Sequence, residues 1–230
     1  MLSSRQEDRA PFRDRTDAAQ QLLGLLREYE GKHPLILAIP RGAVPMARII
    51  ARELKGDLDV ILVRKIGAPE NSEFAIGAVT EAGEVILSEH GKRMPLPSGY
   101  IDSIAKREVQ KLKARRKLYA RYAPVVPCHD RTVILVDDGI ATGQTILAAV
   151  TALQEECAGQ IIVASPVAST SAYDMLARVA DRMAVLRVEP ELRSVGEFYS
   201  DFSQVTEEEV IKALVEQQKA QGAGGEELVW

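Results

Sequence analysis

Residues 133–147 read VILVDDGIATGQTIL, an apolar run that ends on two aspartates and continues in glycines and threonines. Adjacent carboxylates such as Asp137 and Asp138, emerging from a buried strand, repel each other and are costly unless a cation or ligand uses them. Carboxylates only accept hydrogen bonds, so their partners are hydroxyl pairs, amines or metal ions. A vicinal diol, as in ribose, presents two donors at a fitting spacing. The next residues want the opposite kind of group. Gly143 turns the chain into a predicted helix start, exposing consecutive backbone N–H groups, and Thr142 and Thr145 add hydroxyls. The partly positive end of a helix favours a phosphate. One loop thus offers diol acceptors beside a monophosphate cradle, and ribose 5-phosphate carries both groups.

Other phosphate-binding loops fail on particular residues. A Walker A loop requires Gly-Lys-Ser/Thr, whereas the step here is Gly143-Gln144-Thr145, and the chain contains no GxGxxG run. An ordinary strand–turn–helix with aspartates as turn formers explains a lone acidic pair. It does not explain nine residues that match both chemistries.

The elements that must position this loop follow from periodicity. Residues 16–29 place Ala19, Leu22, Leu23, Leu26 and Tyr29 on one helical stripe, with Thr16 or Asp17 as the expected cap. PLILAI (34–39) reads as a strand buried on both faces, AVPMARIIAREL (43–54) as a helix, and LDVILVRKIG (58–67) as a second buried strand. Residues 68–131 break the alternation. Two apolar runs around Glu81-Ala82-Gly83 predict a hairpin, and 102–121 a long helix whose eight Lys or Arg face only Asp102 and Glu108. That helix is either a solvated face or a positive approach surface for a polyanion. Strands at 132–136, 161–165 and 183–188, alternating with helices at 143–155 and 171–180, complete βαβ units and a parallel sheet. A helix at 206–219, capped by Thr206 with Glu209 as its box partner, comes last, and 221–230 reads as a disordered tail.

The chain has 230 residues, 46% hydrophobic and 27% charged, enough for one α/β domain with a sizeable core. Its net charge of −4 offers no global attraction to nucleic acid or anionic membrane. Cys128 and Cys157 lack CxxC spacing and are expected as reduced thiols; His33, His90 and His129 are too scattered to read as a zinc site. The polar start lacks a signal-peptide core and no uncharged apolar stretch reaches ~18 residues, so a cytoplasmic protein is expected.

With these residues in place, the chain resembles the type I phosphoribosyltransferases, whose signature is a buried strand, two acidic residues, two loose positions and Ala/Asp-Thr-Gly-x-Thr. VILVDDGIATGQT follows it position by position. The resemblance implies a three-layer fold: a central, mostly parallel sheet, a hairpin and helix insertion at about 68–125, and a small C-terminal hood at about 190–220, all in one domain spanning 1–220. It places Asp137 and Asp138 on the ribose hydroxyls of phosphoribosyl pyrophosphate (PRPP), and Ala141, Thr142, Gly143, Gln144 and Thr145 on its 5-phosphate, with Gly139 in the same binding loop. LAIPRGAVPMA (37–47) has the form of the family's pyrophosphate loop, with Arg41 and Gly42 at the diphosphate. VRK (63–65) resembles the basic pair carried after the second strand, which puts Arg64 and Lys65 at the leaving group; read alone they are equally surface charges. RKIGAP, AIGAV and VGEFYSDF are similar to a group of bacterial predicted phosphoribosyltransferases, a resemblance that supplies no acceptor.

The implied reaction moves the 5-phosphoribosyl group from PRPP to a nitrogenous base or related small nucleophile, through an oxocarbenium-like transition state, in nucleotide metabolism. It calls for Mg²⁺, reached by Asp137 and Asp138 indirectly through ribose hydroxyls or water, and for Arg41 and Lys65 at the departing pyrophosphate. A mobile cover is expected in 68–100. Hypoxanthine-guanine enzymes carry an aspartate where this chain has Ala141, so the general base has to come from elsewhere, Glu70 or Glu73 being candidates. Phe198, Tyr199 and Phe202 either stack on a planar acceptor or staple the last helix to the core. The other function class is a non-catalytic regulatory protein that binds PRPP and signals to a partner. The expected partners are small molecules, with nucleic acid disfavoured, no membrane, and a homodimer compatible with the sequence.

Overall fold

The computed structural model describes residues 10–156 and 158–222. In chain order the elements are α1 (Arg15–Leu26), β1 (Leu35–Ala38), α2 (Val44–Leu54), β2 (Asp57–Val60), β3 (Val63–Ala68), β4 (Asn71–Thr80), β5 (Val85–Leu87), α3 (Glu89–Arg93) and α4 (Tyr100–Tyr119). They continue as β6 (Thr132–Val136), α5 (Gln144–Glu155), β7 (Gln160–Ser169), α6 (Thr170–Leu176), β8 (Arg182–Glu189) and α7 (Glu207–Gly222). The main sheet has five strands in the order β2-β1-β6-β7-β8, all parallel.

Its strands are continuous apolar runs because both faces are covered. Ile36, Ala38, Ile134, Val136, Ile162 and Ala164 pack into one core with α1, α2 and α7. The alternating residues Leu35, Leu37, Val133, Leu135, Ile161 and Val163 pack into a second core with α5 and α6. This is the expected three-layer α/β architecture. Truncating one of the buried leucines or isoleucines among these to alanine costs about 2–5 kcal/mol. The register also sets the site, since Ala38 pairs with both Val60 and Val136, and Val136 with Ala164. The loops after β1 and β6 therefore leave the sheet level with each other and side by side.

The expected hairpin is present as β4 and β5, within a second, antiparallel sheet of order β3-β4-β5. The expected strand over 58–67 is corrected: it breaks after Val60, and β3 starts the second sheet at Val63. The break is clamped by Arg116 of α4, which donates from Nη1 to buried Asp59 (3.0 Å) and from Nη2 to the Val60 carbonyl (2.6 Å). Arg116 also holds Glu81, while Arg107 and Lys111 pair with Glu108. The basic helix is thus partly an internal anchor, which its composition does not reveal.

Two smaller expectations also change. The cap of α1 is Asp14, whose side chain accepts from Asp17 N–H (2.8 Å), and α6 ends at Leu176. The box at α7 holds as expected: Thr206 N–H donates to Glu209 (2.7 Å), and Glu209 N–H to the Thr206 hydroxyl (3.2 Å). Among the described residues no helix is long and apolar enough to cross a membrane. Cys128 is buried with its thiol on Glu156, whereas Cys157 and the tail from 223 lie outside the described residues.

Candidate active site

Asp137 extends the sheet ladder by one residue, its N–H donating to the Ala164 carbonyl (3.1 Å) as Ile39 N–H does to Val136 (3.1 Å). There the continuous ladder ends, parallel pairing recurring only as a bridge between Ile140 and Ala168, and the acidic pair sits at the carboxyl edge where open α/β sheets bind ligands. Asp137 Oδ1 accepts the N–H of Asp138 (3.0 Å). Burial pushes the Asp137 carboxyl well up, and the neighbouring Asp138 charge pushes it further. Burial also raises Asp138, but the Arg15 guanidinium opposes that shift. The two acids therefore differ, with Asp137 the one that more readily holds a proton.

Arg15, at the start of α1, is the residue that sequence reasoning missed. Its Nε and Nη2 both donate to Asp138 Oδ2 (2.9 and 2.8 Å), and its Nη1 donates to the Ser203 carbonyl (2.7 Å). The pair is largely shielded, with side chains 12% and 17% exposed. The guanidinium lies 4.0 Å from the centre of the Phe202 ring, a cation–π contact. Tyr199 is buried between Phe12 and Phe202 (centroids 5.5 and 4.9 Å), and its hydroxyl donates to the Asp138 carbonyl (2.7 Å). This corrects half of the aromatic expectation: Tyr199 is committed to bracing the acidic loop and offers no open face for a planar ligand. No local signal marks Arg15, because its partner is 123 residues away.

The turn from the acids into α5 runs through Gly139, packed on Val195, to Gly143, the N-cap residue at φ 71°. A side chain at that φ is strained, and a Cβ would stand 2.7 Å from Met175 Cε. No side chain caps α5. The first N–H groups of a helix lack intrahelical partners, so the start at Gln144 and Thr145 presents donors to the loop. Ala141 and Thr142 are exposed there, and Gln144 donates its amide to Met175 Sδ (3.6 Å).

The loop after β1 meets the acids directly. A Cβ at Gly42 would lie 1.9 Å from Asp138 Oδ2, so only glycine permits the approach. The Pro40–Arg41 peptide is cis, and the Arg41 side chain turns toward Glu207 at the start of α7 (3.9 Å). Arg64 and Lys65 lie elsewhere. They are exposed on β3 and line a cavity of about 220 Å³ with Gly67, Tyr100, Ile104 and Arg107, to which neither loop contributes. The structure thus brings Arg41, Gly42, Asp137, Asp138 and the 139–145 turn together and leaves the basic pair apart. Glu70 lines a separate cavity of about 470 Å³ with Phe74, Met94, Pro95 and Pro97; the side chain of Glu73 lies outside the described residues.

Comparison with known proteins adds the family. The model of the phosphoribosyl transferase domain matches residues 9–187. Two Mycobacterium tuberculosis proteins, "Putative phosphoribosyl transferase MT0597" of strain CDC 1551 / Oshkosh and "Putative phosphoribosyl transferase Rv0571c" of strain H37Rv, are each 33% identical over 204 residues. Those matches cover 88% of this chain and 46% of each relative, so the chain spans just under half their length. The crystal structure of TT1426 from Thermus thermophilus is 40% identical, covers 90% of this chain and 99% of its own, and superposes with a TM-score of 0.78. A match over most of the chain, within which lie the acidic strand end and glycine turn that geometry singles out, shows that the chain belongs to the phosphoribosyl transferase domain family.

Proposed function

We propose that the protein transfers the 5-phosphoribosyl group of PRPP to a nitrogenous base or related small nucleophile and releases pyrophosphate. The observation that carries this reading is the contact between Gly42 and Asp138, which sets a loop suited to diphosphate directly beside a pair of diol acceptors. In the reaction the bond from ribose C1 to the pyrophosphate oxygen breaks, a bond from C1 to the nucleophile forms, and the nucleophile gives up its proton.

Each residue has a distinct task. Asp137 and Asp138 accept from the 2- and 3-hydroxyls and stabilise positive charge developing on the sugar. Arg15 holds Oδ2 of Asp138, which orients the carboxylate and favours its ionised form. Gly139 and Ala141–Thr145 surround the 5-phosphate at the start of α5. Arg41, with the backbone of Gly42, takes the pyrophosphate.

A divalent cation fits this donor set. Among the described residues no three His, Cys, Asp or Glu side chains converge on one point. Mg²⁺ needs no such cluster, since it keeps several waters and binds through one or two carboxylates plus substrate phosphates. When bound there it would neutralise charge on the departing diphosphate.

The basic helix supports the enzyme over the non-catalytic alternative. Arg107, Lys111 and Arg116 are engaged by carboxylates of the chain itself, which weakens the case for α4 as an extended docking surface for nucleic acid. Incubating the protein with PRPP, Mg²⁺ and a panel of bases, while following pyrophosphate release, tests the proposal. Release with at least one acceptor is the expected result. PRPP binding without turnover across the panel would favour the regulatory reading.

A further inference from the structure

Two buried polar atoms beside the pyrophosphate loop, the Tyr119 hydroxyl and Glu207 Oε1, make no hydrogen bond of good geometry among the described residues, although the phenol lies against the Glu207 carboxylate. Tyr119 is 1% exposed, so water does not readily compensate it. Fully unpaired groups of this kind cost about 1–3 kcal/mol each, so a poorly aligned pair at this depth still invites an explanation in function.

The other oxygen of Glu207 faces two cations. Oε2 lies 3.9 Å from Arg41 Nη1 and 3.6 Å from Arg115 Nη2. Three separate elements converge here: Arg41 from the loop after β1, Arg115 and Tyr119 from successive turns of α4, and Glu207 from the first turn of α7. Burial and the Glu207 carboxylate push the Tyr119 phenol upward, while Arg115 and Arg41 pull the other way. The four groups therefore share one electrostatic neighbourhood.

The distances show what the cluster lacks. Charge-assisted bonds from arginine to carboxylate settle at about 2.7–2.9 Å, often as a two-pronged fork. Here one carboxylate oxygen serves two guanidiniums, and neither closes to that distance. A carboxylate offers these two guanidiniums and the phenol only a single charge shared over two oxygens. A diphosphate carries more charge and several acceptor oxygens in more than one direction. Helix α7 itself is firmly seated, by Arg48–Glu216 (2.8 Å) and by Gln217 donating to the Gly56 carbonyl (3.2 Å). Only the Glu207 side chain need move.

We infer that Arg41 and Arg115 form a two-arginine subsite for diphosphate in which Glu207 is a displaceable stand-in for the anion. This rests on the phosphoribosyl reading and extends that site onto α4 and the C-terminal helix. The Tyr119 hydroxyl exchanges the Glu207 carboxylate for a phosphate oxygen as its acceptor when the anion enters. Glu207 competes with the ligand and so weakens the hold on pyrophosphate, which eases its release. If Glu207 instead merely positioned the two arginines, its removal would weaken anion binding.

The sign of the effect separates these roles. Calorimetry on the full chain would compare inorganic pyrophosphate and ribose 5-phosphate, both with Mg²⁺, on wild type, Glu207→Gln and Arg115→Gln. We expect Glu207→Gln to bind pyrophosphate on the order of tenfold more tightly and Arg115→Gln on the order of tenfold more weakly. Ribose 5-phosphate affinity should stay constant in both. Unchanged or weaker pyrophosphate binding in Glu207→Gln, or no loss in Arg115→Gln, overturns the inference. Wild type that binds pyrophosphate but not ribose 5-phosphate removes the phosphoribosyl reading instead. If Glu207→Gln fails to fold, Arg115→Lys decides: partial recovery relative to Arg115→Gln supports the subsite, and equal loss rejects it.

Discussion

The two ends of the candidate site are both met by counter-charges from distant parts of the chain, but with different tightness. At the proposed ribose end, two nitrogens of Arg15 close on one oxygen of Asp138 at 2.8 and 2.9 Å, backed by Ser203 and the Phe202 ring. At the proposed pyrophosphate end, Arg41 and Arg115 stand 3.9 and 3.6 Å from Glu207. The first contact has the geometry of a brace and the second that of a placeholder. The difference follows from what each end has to do. Acids that read a diol must keep one orientation, because hydrogen bonds lose strength steeply with misalignment. Cations that receive a leaving group must also let it go.

Breaking the ribose end outright should have the largest effect. Asp137→Asn with Asp138→Asn is expected to abolish PRPP binding measured by calorimetry while leaving the circular dichroism spectrum intact. Gly42→Ala comes next. Its Cβ has no room beside Asp138 Oδ2, so the loop or the carboxylate must shift, and PRPP affinity should fall by at least tenfold on the order-of-magnitude rule of 1.4 kcal/mol per decade.

Arg15→Gln tests whether the brace is more than structural. Removing one partner of a shielded pair destabilises the fold, by about 2 kcal/mol once protonation of Asp138 relieves part of the cost. The more telling readout is pH. Without Arg15 opposing the effect of burial, Asp138 holds its proton to higher pH, and the acid limb of PRPP binding should move upward. An unmoved limb would leave Arg15 as packing alone.

Asp137 gives a smaller and opposite effect on stability. Its carboxyl is raised in the folded protein, so between its ordinary and raised values the folded state binds more protons than the unfolded state. The contribution is fully present below the ordinary carboxylate value and is lost as pH rises through the raised one. Asp137→Asn should therefore gain roughly 1 kcal/mol in thermal melts above that window and nothing below it, even as it loses ligand. Smallest of all, Phe202→Leu removes the ring under Arg15 and should cost about 0.5–1 kcal/mol, with a slight upward drift of the same acid limb.

The region that was readable in the sequence and the region that was not differ in the range of their contacts. In the parallel sheet, alternate residues of β1, β6 and β7 divide between two cores, so each strand appears locally as an unbroken apolar run. The signature at 133–145 is likewise local, with strand end, turn and helix start adjacent in the chain. The split of 58–67 into β2 and β3 was hidden, because the clamp on Val60 comes from Arg116, 56 residues away. The aromatic run at 198–202 was visible as a cluster, but its work was undecided until Tyr199 was found between Phe12 and Phe202.

The sequence by itself determined the alternation of buried strands and helices, the acidic pair at a strand's end and the glycine turn into a helix, because hydrophobic period and backbone freedom act over a few residues. Only the tertiary structure decided that Arg15 braces Asp138, that Arg41 and Arg115 converge on Glu207, and that Arg64 and Lys65 line a different cavity. Charges on exposed loops and helix faces carry no period that names their partners. Pairing over such separations is fixed only when packed cores bring the elements together.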